Sequence, residues 1–443
     1  MGWRDNELAL SYLLGAFFTL MLLGFDMKNF LEEGIMHSIA DQYPGRLDPH
    51  AGYYGLGINY AFFTIATLFS PAIVDRFGSK KSLVACSGVL VLYMIGFMAL
   101  NRWIYFAISA FLGTACGVMW TAQGVYISQY TTKEHVLRNN GIFWAISCIS
   151  FLVGGIALYI LFGFTGNEGF TVSIVRTAFG LFVITGTLGS IGFLFLPSQP
   201  KMYTKDLSII SCINKNFQIM TDRRMQLTSI MFVYLGVQVS HFLGIFPTCM
   251  LFSEQLRLTV GNQMIGYYGV SIGAGEILAG IAINYYCKRT GGGKLLPVVI
   301  VGLVVHLIAY GLTFLSFHKD SKFQATAEPA YIGTTIWLSS FIAFLLAAGD
   351  SCWNTVRGAY LTSTFTENKP QVFAMSKFFQ APSCITFLIG KYINLHEQLL
   401  LNTVLLLATA GSLYLLIKDE DSQPPKQQSQ RNSVKPTELA LPL

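Results

Sequence analysis

Long apolar windows recur along almost the whole chain and constrain its fold more than any other feature. Twelve stretches of about 20 mainly apolar residues can be placed in the sequence, and a helix of that length crosses about 30 Å of hydrocarbon. Backbone groups inside a bilayer must be hydrogen-bonded within their own segment, so the windows predict membrane-spanning helices. The predicted spans are 9–31, 52–74, 82–100, 103–129, 140–163, 174–196, 226–251, 263–287, 295–317, 333–362, 372–394 and 397–417.

The composition agrees with a membrane protein and excludes the soluble globular class. Hydrophobic residues make up 53% of the 443 residues and charged residues only 12%. Lys and Arg are enriched in the short loops on the side of both termini, which the positive-inside rule assigns to the cytoplasm. The net charge of +6 is thereby explained by topology, and we expect the lipid bilayer rather than nucleic acid as a partner. Plasma membrane and endolysosomal membrane both stay open.

A polar segment divides the spans into six and six. Residues 197–225 are rich in Pro, Lys and Arg and follow the sixth predicted span. The sequence therefore predicts an N-terminal bundle over 1–196, a cytoplasmic linker over 197–225 and a C-terminal bundle over 226–417. Residues 418–443 carry Gln, Ser, Pro and charge with little apolar content, a composition that predicts a disordered cytoplasmic tail.

The two halves carry related segments. Residues Phe111–Gly124 in the first half are echoed by Phe344–Arg357 in the second, and both lie in apolar runs. Membrane transporters are commonly built from such repeats, with the binding site at the repeat interface near the middle of the bilayer. The echo predicts two related bundles, although a repeat alone does not establish transport.

Signals for catalysis, metal binding and disulfides are missing from the sequence. The eight cysteines include no Cys-x-x-Cys pair, and the seven histidines have no metal-ligand spacing. The pattern Gly269-Val-Ser271-Ile-Gly273 matches a nucleophile elbow, but that motif requires a strand-to-helix turn and lies here in a predicted helix. Its glycines instead predict close helix packing, as do Gly113 and Gly117. We expect no disulfide framework, no metal site, no cofactor and no enzymatic activity.

The loop between the second and third spans carries a charged motif formed by Asp75, Arg76, Gly78, Lys80 and Lys81. An Asp at a helix end can pair with Arg or accept from the amino end of a neighbouring helix, and Gly permits a tight turn. These residues predict a cytoplasmic gating loop that latches the two halves in one state. The alternative is that they only supply the positive charge typical of cytoplasmic loops.

Five further segments narrow the resemblance: Trp120–Gly124, Arg138–Trp144, Gly273–Gly280, Gly349–Thr355 and Phe373–Phe378. Together with the charged loop, they resemble the signature segments of the UNC-93-like family of the major facilitator superfamily. The resemblance implies an all-α polytopic membrane protein with twelve transmembrane helices in two pseudo-symmetric six-helix bundles, the major facilitator fold. Some family members are similar to accessory subunits of potassium channels, others to trafficking chaperones for receptors.

Four charged residues fall inside or at the start of predicted spans in the second half: Glu276, Asp350, Arg357 and Lys377. Such a residue costs about 2.5 to 3.5 kcal/mol at mid-membrane and usually faces the bundle interior or a wet cavity. Asp350, Asn354 and Arg357 are spaced i, i+4 and i+7 and therefore share one helix face. We expect Asp350 or Glu276 to carry a proton and Lys377 or Arg357 to anchor an anion. The alternative is that the acids and bases form structural ion pairs.

Uncharged polar residues complete the predicted central cavity. Gln123 lies at the first-half position that corresponds to the charged stripe, and Gln238 lies in the seventh span beside His241. Each of these could equally be a packing residue. Near the outer end of the first span, we expect Lys28 to extend outward to the interface and treat Asp26 as a candidate for an external vestibule.

Two functions remain open from the sequence. The first is a secondary transporter that carries a small polar or ionic solute by alternating access, with protons as the candidate coupling ion. The second is a non-transporting regulatory subunit or trafficking chaperone of another membrane protein, such as a potassium channel. The charged loop and the polar stripe favour the first, whereas the family resemblance favours the second. The expected partner is accordingly an unidentified small solute or an unidentified membrane protein.

Overall fold

The computed structural model describes residues 6–48, 51–165, 171–198, 208–322, 326–328, 330–365, 368–383 and 393–421. Helices dominate these residues, and they contain no β-strand beyond a single bridge between Ser253 and Thr326. The helices are α1 (Glu7–Gln42), α2 (Ala51–Phe77), α3 (Ser79–Phe97), α4 (Arg102–Tyr130), α5 (Val136–Ser147), α6 (Ile149–Thr165), α7 (Val172–Phe195), α8 (Ile209–Met220), α9 (Arg223–Ser240), α10 (Phe246–Phe252), α11 (Glu254–Val260), α12 (Met264–Thr290), α13 (Leu295–Ser316), α14 (Ile336–Thr364), α15 (Lys369–Ser383) and α16 (Leu395–Asp421).

The helices match the predicted spans closely. Within the described ranges, 11 helical segments are long and apolar enough to cross a membrane, and each overlaps a predicted span. The twelfth predicted span, 372–394, begins in α15 and continues into residues 384–392, which lie outside the described part of the chain. The all-α polytopic fold is thus confirmed. The predicted tail lies outside the description from residue 422 onward, and α16 continues to Asp421.

Two predicted spans are interrupted. The span predicted over 140–163 consists of α5 and α6, because Cys148 turns between Ser147 and Ile149. The span predicted over 226–251 contains a π-helical turn at His241–Ile245 just before Pro247. Proline lacks a backbone N–H and cannot bond the carbonyl four residues back, so a local change of helix geometry is expected there.

Lys28 does not extend outward as expected. Its side chain is 1% exposed, and its Nζ lies 2.8 Å from Oε2 of Glu32, one turn further along α1. Tyr93 donates to the other Glu32 oxygen at 2.9 Å, and Tyr105 donates to the same atom. The prediction was wrong because the helix runs on to Gln42, which places a carboxylate on the same face as the lysine and makes a satisfied buried ion pair possible.

The two halves meet along two seams, α12 against α5 and α6, and α15 against α2 and α4. In the first seam the backbones touch: a Cβ on Gly269 would lie 2.6 Å from the Gly155 Cα, and one on Gly273 would lie 2.7 Å from the Leu152 Cα. Glycine permits this approach because it has no side chain to separate the helices. The predicted small-residue packing at Gly269 and Gly273 is therefore confirmed.

The linker between the halves contains the short helix α8. Ser208 caps it by accepting from the Ser211 N–H at 3.1 Å, and Asn216 Nδ2 donates to the Leu68 carbonyl on α2 at 2.9 Å. Helix α8 also packs on α15 and α9. It therefore lies against helices of both predicted bundles, at the end of α2 that leads into the charged loop.

Candidate functional site

A small polar cavity lies where α4 and α5 of the first half meet α14 and α15 of the second. Its volume is about 20 Å³, room for about one water molecule. Four of the seven residues predicted to form a central cavity line it: Gln123, Asn354, Arg357 and Lys377. The other lining residues are Trp120, Asn140, Phe143, Trp144, Gly358, Phe373 and Ser376.

The two acids stand directly behind this wall. Trp144 Nε1 donates to Glu276 Oε2 at 3.0 Å, and Asn354 Nδ2 donates to Asp350 Oδ2 at 2.8 Å. Glu276 is fully buried, and Asp350 is 3% exposed. Each acid is thus tied by a hydrogen bond to a residue of the cavity wall without lining the cavity itself.

The carboxyl groups of Glu276 and Asp350 lie close enough to interact electrostatically. Each keeps one buried oxygen, Oε1 of Glu276 and Oδ1 of Asp350, with no donor among the described residues. Two ionised carboxylates are acceptors only, whereas a protonated one donates. A single proton shared between them would supply the missing donor and relieve the repulsion of two like charges.

The two bases converge on one amide. Arg357 Nη1 and Lys377 Nζ both donate to Oε1 of Gln380, at 3.0 and 2.7 Å. The Lys377 ammonium also lies 4.7 Å from the centre of the Trp120 ring, a favourable cation–π geometry. Positive charge is therefore concentrated on the α14–α15 side of the cavity.

The alternative interpretation predicts ion pairs between the acids and the bases, and the described residues show no such pair. Among the described residues, neither Glu276 nor Asp350 lies within 4.0 Å of a Lys377 or Arg357 nitrogen. Asp350 interacts electrostatically with Arg357 on the same helix. Asn354 lies between them in the sequence and donates a hydrogen bond to the Asp350 carboxylate. The acids and the bases therefore form two separate pairs.

Sequence reasoning missed two of these contacts. Gln380 follows Lys377 by three residues, a spacing that places both on one face of α15, and this spacing was the available signal. Trp144 lies in one of the segments that resemble the family, and its bond to Glu276 joins one half of the chain to the other. The sequence offers no signal for a contact of that kind.

Gln238 lies away from the cavity. It is fully buried on α9, and neither atom of its amide group has a hydrogen-bond partner in the described structure. The same holds for both ring nitrogens of the neighbouring His241, whereas His306 bonds Tyr234 and the Leu346 carbonyl. Asp26 is 7% exposed and accepts from Ser150 Oγ at 2.6 Å, so it is covered in this conformation.

The charged loop forms a one-residue connection between α2 and α3. Gly78 has φ of 85°, a region that glycine adopts without strain. Asp75 is 5% exposed at the end of α2, while Arg76 and Lys81 are exposed and Lys80 is partly exposed. Ser79 donates to Gln129 on α4 at 2.9 Å, which fixes the start of α3 beside the cavity-lining helix.

Comparisons with known proteins identify a family and a fold. The family model "Ion channel regulatory protein UNC-93" matches residues 43–414. "UNC93-like protein MFSD11" of Xenopus laevis is 27% identical over 426 residues, which cover 90% of this chain and 94% of the relative. "Protein unc-93 homolog A" of Danio rerio is 21% identical over 438 residues, 88% of this chain and 89% of the relative.

Among solved structures, the major facilitator superfamily transporter FucP in the outward conformation aligns with a TM-score of 0.65 at 11% identity, covering 94% of this chain and all of FucP. The human organic anion transporter MFSD10 aligns with a TM-score of 0.61 at 13% identity, covering 92% of this chain and 99% of MFSD10. At these identities the comparisons carry the fold alone, and the predicted major facilitator fold is confirmed.

Proposed function

The chain belongs to the UNC-93 family, and from that premise we propose that it is a secondary transporter that carries a small polar or ionic solute by alternating access. The observation that carries the proposal is the buried polar cavity between the halves, with two cations in its wall and a carboxyl pair behind it. Buried charge inside a membrane protein typically marks a substrate or proton pathway. The match to proteins with the transporter fold supports the same conclusion.

Arg357 and Lys377 would bind the charged group of the solute. Both are buried, at 6% and 7% exposure, so their charges are only weakly screened by water and attract an anion strongly. They come from two adjacent helices, α14 and α15. A solute held by both would therefore also fix the relative position of these helices.

Glu276 and Asp350 would carry the coupling proton. When the shared proton leaves, Glu276 and Asp350 are both ionised and repel each other. Their combined negative charge also disfavours binding of an anion in the neighbouring cavity. When the proton is present, the repulsion between the acids falls and an anion is accommodated more easily. Protonation of the acid pair and binding of the anion thus favour each other. This mutual effect is what cotransport of a proton and an anion in the same direction requires.

Access to the cavity requires the halves to move, because its volume of about 20 Å³ is too small for a solute. The loop over residues 75–81 and helix α8 would act at the predicted cytoplasmic end, where both contact α2. The seam between α12 and α6 would remain in contact while the α2–α15 side opens. This is the alternating-access motion that the fold supports.

The test places a single cysteine at Asn354 in a background from which the eight native cysteines have been removed. An impermeant thiol reagent is applied separately from each side of the membrane. Alternating access predicts labelling from both sides, whereas a static bundle predicts labelling from one side or neither. Thr187→Cys in the same background is the matched control, because Thr187 is exposed on the outer surface of α7 and faces lipid, where labelling is expected from neither side.

A second candidate function is favoured by the family description, which names ion channel regulation. In that case the chain would bind another membrane protein and modulate it without carrying a solute. Co-purification in mild detergent distinguishes the two: a stoichiometric membrane-protein partner, together with a cysteine at Asn354 that does not label from both sides, would replace the transporter proposal.

A further inference from the structure

We propose that the solute is a small organic monocarboxylate whose carboxylate binds Arg357 and Lys377 and whose apolar part lies on the aromatic wall of the cavity. The inference rests on the proposed function, since it names the solute class for the same cavity. Three observations carry it: the geometry of the two cations, the identity of the other wall residues, and the balance of charge.

The two cations already converge on one acceptor oxygen. Gln380 Oε1 accepts from both Arg357 and Lys377, so the two side chains are close enough to bind one acceptor oxygen together. The Arg357 guanidinium uses one of its donors in this bond and has no carboxylate within 4.0 Å in the described ranges. A guanidinium presents a planar set of donors that matches a carboxylate in a two-point contact.

Aromatic rings surround the cationic end. Trp120, Phe143, Trp144 and Phe373 all line the cavity, and the Trp120 and Trp144 ring centres are 6.2 Å apart. Because the Lys377 ammonium lies on the face of Trp120, a carboxylate held by Lys377 brings the rest of its molecule beside the indole rings. An apolar body, especially a planar one, would be desolvated favourably there.

Three of the uncharged polar wall residues, those other than Gln123, are poorly suited to a sugar-like solute. Asn140 Nδ2 donates to the Val136 carbonyl at 2.8 Å, and Ser376 Oγ donates to the Phe373 carbonyl at 2.8 Å. Asn354 Nδ2 is bonded to Asp350. These groups are engaged within their own helices, and a solute with many hydroxyls would lose hydrogen bonds to water without full replacement.

The charge balance favours one negative charge on the solute. The wall contributes two positive charges from Arg357 and Lys377, and the acid pair contributes one negative charge when it shares a single proton. One further negative charge neutralises the group. A dianion would leave an excess buried negative charge and a neutral solute an excess positive one, and both are unfavourable in a low-dielectric interior.

The test measures binding to the purified full-length chain in detergent micelles, by tryptophan fluorescence and by thermal unfolding. The probes share one ring size: benzoate, its dianionic relative phthalate and neutral benzyl alcohol. Saturable quenching and a higher Tm are expected with benzoate. The two other probes are expected to bind at least about tenfold more weakly, a difference of about 1.4 kcal/mol.

Variants assign the binding to the cavity. Arg357→Gln is expected to weaken benzoate binding at least about 30-fold, since it removes a buried charged partner. Arg102→Gln, at an exposed position, is the matched control and should bind like the natural chain. If Arg357→Gln aggregates, Lys377→Gln on the neighbouring helix and the charge-preserving Arg357→Lys decide instead. A large loss is expected in the first and a smaller loss in the second, because lysine keeps the charge but not the two-point contact.

Three results would overturn the inference: equal binding of benzyl alcohol, tighter binding of phthalate, or no benzoate binding by either measurement. A separate flux experiment with radiolabelled benzoate in proteoliposomes keeps the proposed function distinct. Binding of benzoate without flux would support the proposed ligand class and contradict the proposed transport function. Labelling of the cysteine at position 354 from both sides, without benzoate binding, would support alternating access and contradict the proposed ligand class.

Discussion

Arg357 on α14 and Lys377 on α15 donate to the same atom, Oε1 of Gln380, at 3.0 and 2.7 Å. Two like charges are thus held together in the membrane by a neutral amide that belongs to one of the two helices. The arrangement concentrates positive charge at the cavity, and we expect a negative charge placed beside Arg357 and Lys377 to stabilise it. The first prediction follows from this expectation.

Gln380→Glu is expected to stabilise the protein and to abolish anion binding. The new carboxylate would occupy the position of the amide oxygen and accept two charge-assisted bonds, which adds about 1 to 2 kcal/mol to the free energy of unfolding. It would also neutralise the cations that the ligand needs. Thermal unfolding and benzoate titration check the two effects, with Gln42→Glu at an exposed position as the control. A variant that is no more stable and still binds benzoate would contradict the prediction.

Asp350→Asn or Glu276→Gln is expected to abolish pH-dependent uptake while leaving folding and membrane delivery intact. Either change removes the titrating pair but places an amide donor opposite the remaining carboxylate, so the buried oxygens keep a partner. Uptake of radiolabelled benzoate into proteoliposomes at several external pH values measures the effect. Glu254→Gln makes the same chemical change at the start of α11 and should behave like the natural chain; uptake that keeps its pH dependence in both cavity variants would remove the coupling role.

Lys322, in the loop after α13, makes stability depend on pH in the alkaline range. Partial burial lowers the pKa of Lys322 to about 8, a shift opposed by Cys249 and Glu397, whereas an unfolded chain has a lysine pKa of about 10.4. Between these values the unfolded state binds more protons, so the contribution of Lys322 is least favourable below pH 8 and improves as the pH rises toward about 10.4.

The measurement compares Tm from neutral to alkaline pH for the natural chain and for Lys322→Met. The Tm of the natural chain is expected to rise relative to that of the variant across this window. Lys319→Met, at an exposed position nearby, controls for the loss of a lysine as such. A difference between the natural chain and Lys322→Met that is constant with pH would show that burial does not govern this lysine.

Gly269→Ala is expected to destabilise the protein by about 1 to 3 kcal/mol, the range for forcing extra atoms into a packed contact. Its new methyl group would lie 2.6 Å from the Gly155 Cα, so the helices must separate. Gly180→Ala on α7 is the matched control, because a Cβ there meets nothing within 4 Å and alanine favours a helix. Equal thermal stability of the two variants would argue against backbone contact at the seam.

Local periodicity accounts for the parts of this molecule that the sequence predicted. Apolar windows located the spans because the bilayer imposes a minimum apolar length on every helix that crosses it. The stripe of Asp350, Asn354 and Arg357 followed from helix geometry alone, and Asn354 and Arg357 do line the cavity. Their role in binding a solute remains a prediction.

Contacts between distant segments account for what the sequence did not predict. That Glu276 faces Asp350 depends on how α12 packs on α14, and no spacing in the chain encodes that packing. Gln238 illustrates the same limit, because a polar residue in a span indicates the bundle interior without indicating which part of it. The interruption at Cys148 lacks the Pro or Gly that usually announces one.

The glycine contact between α6 and α12 determines how these helices can move past each other. Where backbone meets backbone at Gly155 and Gly269, no side chain stands between the two helices, so a small shift at this point requires no change of rotamer there. Where side chains interdigitate between two helices, they must change rotamer before one helix can slide along the other, and this creates energy barriers. If the halves move as proposed, we expect sliding at this contact to meet little resistance from side chains.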